Sequence, residues 1–188
     1  MRDIDVTELN IIRDQVTKHI NTPLTSSMGR LFDVVAAMTG IRTVVQYDAQ
    51  AAIDLETYAC AAPDETGVYP FTTGTENGVT VIRLQHLLES IAHEVRRGTP
   101  PAVIAARFHN TVVEMILVVC KLISEKTGLK TAALSGGVFQ NRLLLRKTLV
   151  TLESAGFRVY THRQVPCNDG DISLGQTAIA RRSKEARR

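Results

Sequence analysis

Residues 134–142 read LSGGVFQNR. A short apolar run, TAALS (131–135), leads into them and predicts a buried strand. FQNRLLLRKTLVTLESAG (139–156) leads out with helical spacing and a glycine stop. Glycine adopts positive φ and lets another group approach the backbone closely. At the carboxyl end of a strand, before a helix, both properties serve ligand binding. The helix start supplies free N–H groups, and ligands of open α/β sheets sit beyond the carboxyl ends of the strands. Ser135, Gly136 and Gly137 are therefore candidates to wrap a nucleotide, and Asn141, on the first helical turn, can hydrogen-bond it. The other reading of the same residues is a tight turn with no ligand, and no GK[ST] of a P-loop follows.

A second joint of the same kind lies downstream. FRVYTH (157–162) reads as a strand and DISLGQTAIARRSK (171–184) as a final helix, with VPCNDGD (165–171) between them. Asn168 and Asp169 suit helix capping. The functional alternative is that Asp169 points a carboxylate into the crevice of Gly136 and Gly137, where a phosphate-bound cation can use it. Strand–helix–strand–helix order predicts parallel strands with a right-handed crossover, so both joints face one cleft.

Upstream, the chain is mostly helical. Val6, Leu9, Ile12, Val16 and Ile20 recur at spacings of three and four and predict an amphipathic helix over 5–20. MGRLFDVVAAMTG predicts a largely buried helix over 27–39, with Gly29, Arg30 and Asp33 as its exceptions. Helices over 49–62, 84–97 and 102–127 follow. YPFTT and VTVIRL flank GTENG and predict a hairpin, because Asn77-Gly78 is a turn signal.

Composition narrows the function classes. The chain has 188 residues, 44% hydrophobic and 22% charged, which is the soluble globular range. No uninterrupted apolar run reaches about 18 residues, so no membrane span is expected. MRDIDVTELN has no apolar core of a secretory signal. Cys60, Cys120 and Cys167 are scattered and form no CxxC, which argues against a zinc site or a disulfide framework and for a reducing, cytoplasmic setting. The formal net charge is +3, but RRSKEARR at the end carries +4, leaving the rest at −1. Such a tail reads as a solvated helix end, and nucleic-acid binding by a broad basic patch has little support.

Four stretches together carry a resemblance: TSSMGRLFD (25–33), YDAQAAIDLE (47–56), LSGGVFQNRLL (134–144) and VPCNDGDISLGQ (165–176). They resemble the C-terminal part of HypF-type carbamoyltransferases, maturation factors of [NiFe] hydrogenases. The resemblance implies an α/β, helix-rich fold: the second lobe of an actin-like ATPase (RNase H-like) fold with a helical insertion. It divides the chain into a helical segment, 1–66, and the lobe, 67–188. It implies ATP or carbamoyl-adenylate held by Ser135, Gly136, Gly137 and Asn141. Asp33 would contact the ribose, as in the related tRNA threonylcarbamoyl-transfer family. The competing reading of Asp33 is a carboxylate satisfied by Arg30, three residues earlier. Asp169 matches a catalytic metal ligand, for Mg or Fe in the complete enzyme, whose histidine partners lie in a first lobe that this chain lacks. The implied partners are that lobe with the upstream domains, and a HypE-type protein whose C-terminal cysteine accepts the carbamoyl group. Apolar helix surface normally facing the first lobe predicts a homodimer of the isolated chain. Two departures stand out. Asp171 replaces the usual glycine of NDGG, and Ala49 stands where the family tends to have glycine. A binding module without catalysis and a tRNA-modifying relative are the alternatives.

Overall fold

The computed structural model describes residues 5–185; the first four residues and the last three of the basic tail, 186–188, lie outside them. Helices α1 (Val6–Thr17), α2 (Met28–Met38) and α3 (Gln50–Cys60) lead to strands β1 (Thr72–Glu76) and β2 (Val79–Arg83). Helices α4 (Gln85–Arg96) and α5 (Pro101–Thr127) follow. Then come β3 (Thr131–Leu134), a 3-10 turn (Gly137–Gln140), α6 (Arg142–Ser154), β4 (Arg158–Thr161), a second 3-10 turn (Asp169–Asp171) and α7 (Ile172–Glu185).

The core is built around α5. Phe32 and Val35 of α2, Leu55 of α3, Leu87 and Ile91 of α4, and Phe108, Val112 and Met115 of α5 are buried together, with Leu144 of α6. Each such side chain stabilises the fold by about 1.5–3 kcal/mol relative to exposure. By length and composition α5 could cross a membrane. Here α2, α3, α4 and α6 take up its apolar surface, so it is the central helix of the core. A smaller cluster, Leu117, Leu134, Leu152 and Phe157, seats β3 and β4 against α5 and α6.

The described strands form two two-stranded sheets. β3 and β4 are parallel, as the alternation predicts, with Leu134 opposite Thr161. β1 and β2 are the expected hairpin; Glu76 faces Val79 across Asn77 and Gly78, both at positive φ. That is the backbone of a type I′ turn. The first strand lies further along than expected. Tyr69 is instead drawn into the core, where its N–H donates to Thr111 Oγ1 (2.8 Å) and its hydroxyl to Glu94 (2.6 Å). Arg107 pairs with Glu94 and, at 3.1 Å, with Glu65, tying the 65–69 loop to α4 and α5. The Glu65 carboxyl is held below its usual range by the Gly67 N–H it accepts and by Arg107.

Two local expectations change. α2 is buried along Leu31, Phe32, Val35 and Ala36 but exposes Val34, so one face is solvated. The helix expected from 139 starts at 142, because a 3-10 turn intervenes. α1 buries no residue; Val6, Leu9, Ile12 and Val16 are all exposed. This is part of the helical surface, over 1–62, on which the expected self-association rests.

Candidate functional site

The two joints lie side by side. The Gly136 N–H donates to the Cys167 carbonyl at 2.8 Å, linking the loop after β3 to the loop after β4. Gly136 has φ 104° and ψ 151°, a region essentially reserved for glycine. Gly137 has no such constraint. A Cβ there would meet nothing closer than the Asn168 Cβ at 3.9 Å, an ordinary contact. Neither backbone strain nor packing explains the second glycine. Gly170 differs again: a Cβ would lie 3.1 Å from Asn168 Oδ1 and 3.3 Å from Pro166 Cγ, so the second loop is closed tightly on itself.

Asn141 is placed differently from the expectation. It is the N-cap of α6 rather than a first-turn residue; its Oδ1 accepts from the Leu144 N–H at 2.8 Å. Its Nδ2 lies 2.9 Å from His109 Nε2, and it is 9% exposed. His109 Nδ1 lies 2.8 Å from the Ala105 carbonyl, which can only accept. Nδ1 therefore carries the ring hydrogen, and Nε2 accepts from Asn141. Burial pushes the His109 pKa down to about 4, which keeps this acceptor neutral. The second Asn141 amide hydrogen has no protein partner among the described residues.

His109 is the buried partner of Asn141 that the sequence reading missed. Its signal was a polar residue inside the apolar stripe of α5, four residues from both Ala105 and Val113. Phe32 packs edge-on against the His109 ring at 5.3 Å and against Phe108 at 4.8 Å. α2 also packs on the Gly137–Gln140 turn. The helix carrying Asp33 is thus keyed to the first joint through Phe32. Asp33 itself pairs with Arg30 at 3.1 Å, the competing reading of that residue, and its side chain is 36% exposed.

The second joint is more open. Asn168 caps the 3-10 turn, accepting from the Gly170 N–H at 3.1 Å. Asp169 is exposed on that turn. Among the described residues no group of three His, Cys, Asp or Glu side chains is gathered to hold a metal. Asp169 offers one hard oxygen ligand, which suits a divalent cation only in company with ligands from outside this chain. Asp171, the residue departing from NDGG, faces His162: its Oδ2 lies 3.4 Å from Nδ1. His162 Nε2 lies 2.9 Å from Ser135 Oγ. Ala49, the other departure, precedes α3 in the left-handed region at φ 61°. A glycine there relieves the backbone, which gives the family's preference a conformational reason.

Comparison with known proteins identifies the family. Residues 2–176 match the family model described as carbamoyltransferase, Kae1-like domain, second subdomain. The carbamoyltransferase HypF of Synechocystis is 39% identical over 163 residues, covering 86% of this chain and 20% of that protein. A HypF homolog of Cupriavidus necator is 34% identical over 176 residues, covering 90% of this chain and 44% of its own length. The crystal structure of a full-length HypF in its phosphate- and nucleotide-bound form superposes with a TM-score of 0.89 at 42% identity. It covers 95% of this chain and 28% of that one. The chain thus spans from a fifth to under a half of the curated relatives it matches. Its fold is that of the actin-like, RNase H-like second lobe expected from the motifs. The chain belongs to the HypF carbamoyltransferase family and forms the second subdomain of its Kae1-like domain.

Proposed function

We propose that this chain supplies half of a carbamoyl-transfer site. Ser135, Gly136, Gly137 and Asn141 hold the adenosine of ATP or carbamoyl-adenylate, and Asp33 reaches the ribose by exchanging its Arg30 partner. Asp169 is one ligand of a divalent metal, Mg or Fe, completed by residues of a first lobe. Such an ion would polarise the carbamoyl carbonyl toward attack. The acceptor is the C-terminal cysteine of a HypE-type partner, and the product leads to the cyanide ligand of [NiFe] hydrogenase in the cytoplasm.

The observation that carries this reading is the pairing of the joints. Gly136 is bonded to Cys167, two residues before Asp169, while Gly137 is left without a packing reason. A ligand approaching the backbone closely supplies that reason. In the complete enzyme, Asp169→Ala should abolish transfer to the partner and leave adenylate formation intact, read by separate assays of thiocarboxamide and pyrophosphate. Unchanged transfer would remove the metal role. A second reading, a nucleotide-binding module without catalysis, is favoured by the solitary exposure of Asp169. Turnover of carbamoyl phosphate by the chain alone would exclude it.

A further inference from the structure

The ends of β3 and β4 bring three chemically active side chains together. Leu134 is opposite Thr161 in the parallel register, so Ser135 and His162 are the next residues on each strand. Ser135 Oγ lies 2.9 Å from His162 Nε2, and Asp171 Oδ2 lies 3.4 Å from His162 Nδ1. A nucleophilic hydroxyl, an imidazole and a carboxylate thus stand in line, on three separate segments. Such relays are recognised by geometry and role, not by position in the chain. Ser135 is exposed, whereas the side chains of His162 and Asp171 are each only 24% exposed. The hydroxyl faces solvent with the ring and the carboxylate behind it.

With the ring hydrogen on Nδ1, the side facing the Asp171 carboxylate, Nε2 is an acceptor for the Ser135 hydroxyl. The His–Asp distance is an ion-pair contact rather than a tight hydrogen bond. It is weak while the ring is neutral and strengthens when the ring takes a proton. A proton arriving at Nε2 therefore finds a negative charge on the far side of the ring.

We infer that Ser135, His162 and Asp171 form a proton relay that activates the acceptor thiol during carbamoyl transfer. The inference rests on the carbamoyl-transfer reading above, with the Ser135 backbone in the nucleotide cradle and its hydroxyl, which faces His162, in the relay. The thiol proton passes to Ser135 Oγ as the hydroxyl proton moves to His162 Nε2. The sulfur forms the S–C bond to the carbamoyl carbon, the C–O bond to the nucleotide phosphate breaks, and the nucleotide leaves with that electron pair. Asp171 is the positioning residue: its carboxylate faces Nδ1 at 3.4 Å and favours the ring orientation that turns Nε2 to Ser135. No covalent intermediate forms on Ser135, because an alkoxide is a poorer leaving group than the thiolate that must replace it.

The test uses the complete family enzyme carrying this lobe, with carbamoyl phosphate, ATP and a cysteine-terminated peptide as the thiol. Adenylate formation is followed separately by pyrophosphate release. At neutral pH, His162→Gln should lower transfer by about 10²–10⁴-fold, the usual contribution of a general base, with adenylate formation unchanged. The deficit should shrink as pH rises through about 8.5, where a free thiol ionises without help. Asp171→Gly, which restores the family's usual residue, should cost about tenfold, the effect of one partly screened charge. A loss of the same factor at every pH would make His162 structural and overturn the relay, as would full activity in His162→Gln. Absence of any transfer by the unaltered enzyme would instead remove the carbamoyl-transfer reading, and the relay with it.

Discussion

The loop after β3 and the loop after β4 begin from the same pattern, a short strand released into a 3-10 turn before a helix, yet they are held by different means. The first is anchored in the core. Asn141 caps α6 and is itself gripped by His109, a fully buried ring packed under Phe32. The second is anchored mainly in itself, through Asn168 on Gly170 and the close fit around Gly170. It reaches the first through the Gly136–Cys167 and Ser135–His162 hydrogen bonds, and the Asp171–His162 contact closes it on the same ring. A buried polar group without a partner is costly, so a cap inside the core is rigid, while an exposed cap is replaceable by water. The arrangement joins a fixed wall to a yielding one. In the proposed site the fixed wall would orient the nucleotide, and the yielding wall would bring Asp169 and the His162 relay to it.

Acid should separate the two walls most strongly. Above pH 6.5 His109 is neutral in both the folded and unfolded chain. Between there and about 4, the unfolded chain binds a proton that the folded chain refuses, so stability falls as pH falls. The full loss is on the order of 3 kcal/mol, at about 1.36 kcal/mol for each pH unit between 6.5 and about 4. Urea unfolding from pH 7 to pH 4 reads it. His109→Gln should flatten that dependence, and an unchanged slope would show that His109 does not anchor the first wall.

Removing each cap is the next sharpest comparison. Asn141→Ala should cost about 2–3 kcal/mol, the sum of a lost cap and an orphaned buried ring nitrogen. Asn168→Ala should cost about 0.5–1 kcal/mol, because its cap faces solvent. Equal losses in thermal unfolding would erase the distinction between the walls.

The two glycines give the most specific comparison, and Gly137 the smallest effect of all. Gly136→Ala forces a side chain into a strained backbone region and should cost about 1–3 kcal/mol. Gly137→Ala should change stability by no more than about 0.5 kcal/mol, since its methyl has room. If Gly137 is kept for a ligand, the same methyl should weaken nucleotide binding in a calorimetric titration with ATP and AMP. Gly137→Ala is a cleaner probe than Asn141→Ala, which removes a structural cap together with any ligand contact. Full affinity in Gly137→Ala would leave the second glycine without a function.

Much of this was legible in the residues. Helix positions followed from apolar spacing, with ends within two residues of the expectation for α2 to α5. Asn77-Gly78 announced the hairpin, and strand–helix alternation announced the parallel pair. The errors have physical causes. Phe139 and Gln140 look helical by composition, but Asn141 as a buried cap cannot also lie inside the helix it starts. Tyr69 looks like a strand residue, but its hydroxyl and N–H find partners on α4 and α5.

The sequence by itself determined the elements, the order of the two joints and the family, because periodicity, turn chemistry and motif spacing act over a few neighbouring residues. Only the tertiary structure decided which polar groups meet. His109 and Asn141 are 32 residues apart, Ser135 and His162 27 apart. No local rule links such pairs. They are joined because α5, β3 and β4 share one core, and burial within it makes each unpaired donor or acceptor too costly to leave alone.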